Sequence, residues 1–94
     1  MAESTQVEAT VETALDGNAI GGLLNEVFGR EMTVAVGTCG SCGASRMVAE
    51  FLVYLRGPGT VARCRDCTAV LIVITRRASV NCVDLMGLAK LTPA

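Results

Sequence analysis

The clearest apolar period in the chain runs through Ile20, Leu23, Leu24, Val27 and Phe28, at i, i+3, i+4, i+7 and i+8, which is one face of a helix. Asp16 ahead of it is suited to cap the first free N–H groups, and Gly29 behind it can take the left-handed conformation that ends a helix. The spacing therefore predicts a helix from Asp16 through about Phe28. Gly21 and Gly22 inside it cost roughly 1 kcal/mol each relative to alanine, which predicts that another backbone packs closely there. From Met32 onward the pattern turns to β. Thr33-Val34-Ala35-Val36 leads into a turn at 39–43, and the run Met47 to Leu55 leaves it. Gly57-Pro58-Gly59 reverses the chain, Val61-Ala62-Arg63 and Thr68 to Thr75 flank a second turn at 64–67, and Arg76 to Ser79 reverses it again before Val80 to Leu85. Residues 1–13 read as a disordered acidic leader without a sustained apolar period, and 14–94 as a single domain. The fold class is small α+β: an N-terminal helix followed by antiparallel β-hairpins.

The two turns carry the same chemistry. The first is Cys39-Gly40-Ser41-Cys42 and the second Cys64-Arg65-Asp66-Cys67. Two residues between paired cysteines let one tight turn aim both sulfurs at a single ion, and two such turns complete a tetrahedron. Cys39, Cys42, Cys64 and Cys67 are therefore the candidate ligands of one structural Zn²⁺. Gly43 directly follows the first pair, where a positive φ is useful, while the second pair is followed by Thr68. Arg63 and Arg65 are close enough in sequence to offset a doubly negative centre, or else are ordinary surface charge. Iron in a rubredoxin-type electron carrier uses the same ligand pattern; a chain with no Trp, one Tyr and two Phe favours zinc. A dithiol redox pair is the third option, but no βαβ pattern surrounds either turn. Cys82, in Val80-Asn81-Cys82-Val83, reads as a small buried hydrophobe.

Composition narrows the function. The chain has no histidine, which removes the commonest general base, Ser-His-Asp and Cys-His arrangements, and mixed Cys/His zinc sites. A non-enzymatic role is expected, with no small-molecule substrate evident. Met1 to Gln6 has neither a basic nor an apolar signal region, so the expected compartment is cytoplasmic, where CxxC pairs are more often metal ligands than disulfides. The longest strongly apolar run, Ala69 to Ile74, is far short of the ~20 residues of a spanning helix. Charge is uneven: residues 1–31 hold six acids against Arg30, a net of −5, and residues 32–94 hold seven bases against three acids, a net of +4. Four thiolates on Zn²⁺ would bring the latter to about +2, a mildly basic ribbon without a dense phosphate-binding patch.

Taken together, these parts resemble the zinc-ribbon superfamily, and more closely a family of small uncharacterised bacterial zinc-ribbon proteins. The resemblance rests on Leu15 to Ala19 through Glu26-Val27-Phe28, the turn Cys39 to Gly43, Tyr54 with Pro58-Gly59, the turn Cys64 to Cys67, and the ending Asp84-Leu85-Met86-Gly87-Leu88. It implies a zinc-ribbon fold and one ion on Cys39, Cys42, Cys64 and Cys67, with Cys82 outside the coordination, and it implies no activity. With 51% of residues apolar and strands such as Phe51 to Leu55 and Val70 to Ile74 offering two faces, a homo-oligomer or a protein partner is expected to cover what the helix leaves open. The alternative is weak nucleic-acid binding through Arg46, Arg56, Arg63, Arg65, Arg76 and Arg77.

Overall fold

The computed structural model describes residues 14–56 and 59–93. Asp16 begins the helical stretch as its spacing predicts: its carboxylate accepts from the Asn18 N–H at 3.1 Å and caps a 3₁₀ turn, Gly17–Ile20, which runs into helix α1, Gly21–Phe28. Gly29 closes α1 at φ +74°, its N–H donating to the Asn25 carbonyl at 2.7 Å. The predicted apolar face is the packed one. Ile20 and Leu24 are buried, and Leu23, Val27 and Phe28 pack against the core. The helix is not N-terminal, however. Strand β1, Leu15–Asp16, precedes it and pairs antiparallel with a strand far along the chain. A two-residue strand is too short to carry a period of its own, so only that distant partner defines it.

The close backbone approach expected in the helix falls elsewhere. At Gly17 an added Cβ would lie 1.9 Å from the Val48 carbonyl oxygen, whereas at Gly21 it would meet only a Thr33 methyl at 3.4 Å and at Gly22 nothing within 4 Å. Gly22 thus carries the entropic cost of glycine with no packing reason for it. The substitution Gly22→Ala is expected to stabilise the protein by about 0.5–1 kcal/mol. It should read as a higher urea midpoint at unchanged slope.

The strands form two antiparallel sheets. One has the order β1-β4-β5-β6-β7, with β4 at Leu52–Arg56, β5 at Gly59–Arg63, β6 at Val70–Arg77 and β7 at Val80–Asp84. The other has the order β3-β2-β8, with β2 at Val36–Cys39, β3 at Ser45–Met47 and β8 at Leu88–Thr92. The reversal expected at Gly57 and Pro58 lies outside the described residues, as does the leader 1–13; β4 and β5 on either side of that reversal are antiparallel.

The single strand expected over Met47 to Leu55 is broken, because β3 and β4 belong to different sheets. Between them Val48–Glu50 forms a 3₁₀ turn whose N–H groups bond to another turn: Val48 to the Ala35 carbonyl and Ala49 to the Thr33 carbonyl, both at 2.9 Å. That second turn occupies Thr33 to Ala35, so the strand expected there starts only at Val36. Phe51 follows as the largest fully buried side chain, in a core with Leu24, Val48, Val53, Leu71, Ile72 and Ile74. Its ring reaches β2 because Gly37 leaves room; a Cβ there would lie 2.8 Å from the ring. Among the described residues no helix is long and apolar enough to cross a membrane.

Cys82 corrects the reading of it as a buried hydrophobe: it is exposed. It lies on β7, which among the described residues pairs only with β6 and so forms the sheet's outer strand, and its neighbours Val80 and Val83 are 60% and 38% exposed. An apolar local sequence reads the same on an outer strand as on a central one.

Candidate metal centre

Both cysteine turns sit in hairpins, as the spacing predicts, but the hairpins belong to different sheets. The first turn joins β2 to β3. The Cys39 N–H donates to the Ala44 carbonyl at 2.9 Å, the Gly43 N–H donates to the Cys39 carbonyl at 3.0 Å, and Gly43 has φ +80°. The second turn joins β5 to β6 with the same wiring: Cys64 N–H to the Ala69 carbonyl at 2.8 Å, Thr68 N–H to the Cys64 carbonyl at 2.9 Å, and Thr68 at φ +66°. The missing glycine after the second pair therefore does not change the knuckle. A β-branched residue is held in the left-handed region instead, where a Cβ crowds the backbone at a cost on the order of 1–2 kcal/mol. The Arg63 guanidinium, which donates to the Thr68 carbonyl at 2.8 Å, helps to hold it there. Thr68→Gly is expected to stabilise the protein by about 1 kcal/mol and Gly43→Thr to destabilise it, both read from urea midpoints.

The two turns bring together all four predicted residues. The Sγ atoms of Cys39 and Cys67 are 3.6 Å apart, those of Cys42 and Cys64 3.7 Å, and all four lie within 4.8 Å of one another. An ion about 2.3 Å from each of four sulfurs requires them about 3.8 Å apart; the two close pairs already stand near that spacing, and no other pair would have to close by more than about 1 Å to complete the tetrahedron. Both close pairs cross from one hairpin to the other, so an ion here would tie the two sheets together. Cys39 and Cys64 are buried, Cys67 is half-buried and Cys42 is exposed.

Backbone N–H groups are aimed at the sulfurs. Ser41 and Cys42 donate to the Cys39 Sγ at 3.3 and 3.4 Å, and Asp66 donates to the Cys64 Sγ at 3.4 Å. The Cys42 N–H, then the Ser41 N–H and the neighbouring thiols, outweigh desolvation and bring Cys39 down to about 6. The opposite holds at Cys42. There an Ala44 N–H favours the thiolate, yet desolvation and the three surrounding sulfurs together push the thiol up to about 12. Cys39 thus yields its proton readily while Cys42 beside it holds on to its own, a conflict that a soft cation removes by neutralising the thiolates together.

Charged groups surround the sulfurs in a way the sequence reading missed. Arg46 on β3 donates from Nε to Asp66 Oδ2 at 2.7 Å and from Nη2 to Asp66 Oδ1 at 2.8 Å, a two-pronged pair between the turns. This bond holds the Asp66 carboxyl below the usual carboxylate range. The sequence singled out Arg63 and Arg65 instead. Both turn to backbone carbonyls, Arg63 to Thr68 and Arg65 to Glu50 at 2.8 Å. The available clue was opposite charge, Arg46 just beyond the first turn and Asp66 inside the second, but the meeting of the turns does not by itself say which charged side chains face each other. A further contact comes from the loop between β7 and β8, where the Gly87 carbonyl accepts from the Gly40 N–H at 2.9 Å. On the helical side Arg76 bonds to Glu26 and Asn81.

A sequence model described as a family of unknown function, DUF6510, matches residues 9–94. The chain belongs to that family. In this DUF6510 protein the matched region contains both hairpins and all four clustered cysteines, and it begins inside the segment 1–13. The family brings no activity with it. Comparison with curated proteins and with solved structures finds no match.

Proposed function

We propose that this DUF6510 protein is a non-enzymatic zinc-ribbon module. One structural Zn²⁺ on Cys39, Cys42, Cys64 and Cys67 fastens its two sheets, and the module serves protein interaction or assembly in the reducing cytoplasm. The observation that carries this reading is the meeting of four sulfurs from two hairpins of separate sheets. Four protein ligands leave no open position on a tetrahedral ion, the arrangement of structural rather than catalytic zinc, and a chain without histidine supplies no common general base. Zinc is favoured over iron by the aromatic-poor composition, and a reducing compartment by five free thiols. A binding role is supported by large apolar side chains left in water: Leu55 is 58%, Val80 60% and Met86 90% exposed. The nucleic-acid alternative loses ground because Arg46, Arg63, Arg65 and Arg76 are engaged within the chain.

Elemental analysis of the folded protein tests the metal. One zinc per chain is expected; a coloured, iron-loaded protein would move the reading to electron transfer, and a folded metal-free chain would end it. Gel filtration with light scattering tests self-association, since elution as a monomer at high concentration would leave only a different partner.

A further inference from the structure

We infer that Arg46 and Asp66 are a positioning pair for the metal centre, setting how tightly the four sulfurs hold their ion by fixing one cysteine turn against the other. The inference rests on the metal reading proposed above and adds to it two residues that touch no metal.

The sulfurs come from turns in different sheets, so metal affinity depends on how far those turns are free to separate before an ion arrives. Among the described residues, Arg46 and Asp66 form a side-chain ion pair between them. Arg46 projects from β3, immediately after the first turn, and Asp66 occupies the second turn itself, between Cys64 and Cys67. Their two parallel bonds, at 2.7 and 2.8 Å, fix orientation as well as distance, which a single-point contact would not. The Asp66 backbone N–H also donates to the Cys64 Sγ at 3.4 Å. The residue that Arg46 grips is therefore the residue that orients a candidate ligand, and loss of the grip reaches the sulfur through one peptide unit. Glu50, 3.7 Å from Arg46, lies beside the guanidinium and helps to hold it. Groups around a metal site that orient its ligands in this way are typically worth 10- to 100-fold in affinity.

The pair Arg76 and Glu26 provides the comparison. It too is an exposed arginine–carboxylate contact, but it joins α1 to β6 and involves neither of the turns that carry the four clustered cysteines. A general stabilising effect would act there as well.

The test uses the full chain loaded with Zn²⁺, titrated against a chromophoric chelator, and loaded separately with Co²⁺ for its visible ligand-field spectrum. Asp66→Asn, which keeps size and backbone, and Arg46→Gln are each expected to weaken Zn²⁺ about 10-fold. The double variant should weaken it no more than either alone, because both lose the same contact. Both singles should also alter the Co²⁺ spectrum, while Arg76→Gln alters neither readout. Unchanged Zn²⁺ affinity in both singles, losses that simply multiply in the double, or an equal loss in Arg76→Gln would overturn the inference. If the unsubstituted chain takes up no metal, the failure belongs to the underlying metal reading, and the inference falls with it.

Discussion

Cys64→Ser is expected to abolish the cooperative thermal transition of this protein. Cys64 is buried just after the end of β5, and its sulfur stands 3.7 Å from that of Cys42 in the other hairpin. Serine would replace a thiolate with a weakly coordinating hydroxyl and break the link between the sheets. Metal-binding free energies at such sites reach about 10–16 kcal/mol and are largely folding free energy, while a domain of this size has a total stability of only about 5–15 kcal/mol. On the proposed metal reading, a lost ligand thus removes most of what holds the sheets in place. Chelation should do the same to the unsubstituted protein: circular dichroism is expected to lose its β signal on EDTA treatment and recover it with Zn²⁺. Cys82→Ser, at an exposed position on an outer strand, should change stability by less than about 0.5 kcal/mol. If Cys64→Ser melted within a few degrees of the parent, the metal would have no part in stability.

Gly87→Ala is expected to destabilise by about 3 kcal/mol, at the top of the range for over-packing. A Cβ at this position would lie 1.9 Å from the Val70 carbonyl oxygen and 2.9 Å from the Leu71 Cα, both backbone atoms of β6 that cannot rotate aside. The turn would have to lift. The Gly87 carbonyl accepts from the Gly40 N–H inside the first cysteine turn, so the displacement would also disturb the four-cysteine cluster. Gly22→Ala is the matched control, the same substitution made into open space. Urea unfolding of the two variants should shift in opposite directions, and a Gly87→Ala midpoint equal to the parent's would show that the turn is not seated on β6.

The features legible in the sequence are those made by residues close together in the chain. The Asp16 cap, the apolar face from Ile20 to Phe28 and the Gly29 stop each depend on atoms a few residues apart, and all three stand in the structure. The cysteine turns belong to the same class, because the CxxC spacing fixes the local wiring well enough that Thr68 follows it without a glycine. That four such sulfurs meet was implied by their types and spacing alone.

Apart from that meeting of sulfurs, the features whose energy comes from a distant partner were decided by the tertiary structure alone. Met47 to Leu55 has the apolar character of one strand, yet Val48 and Ala49 bond to the turn at Thr33 to Ala35, and the chain changes sheet there. Gly17 and Gly87, rather than Gly21 and Gly22, carry the close contacts, because contact depends on which backbone passes by. Cys82 is exposed because β7 ends a sheet, and the Arg46–Asp66 pair exists because the turns of two sheets face each other. Short-range hydrogen bonding and steric preference are written into neighbouring residues, whereas sheet order, outer-strand position and cross-sheet pairing come only from the whole chain packing at once.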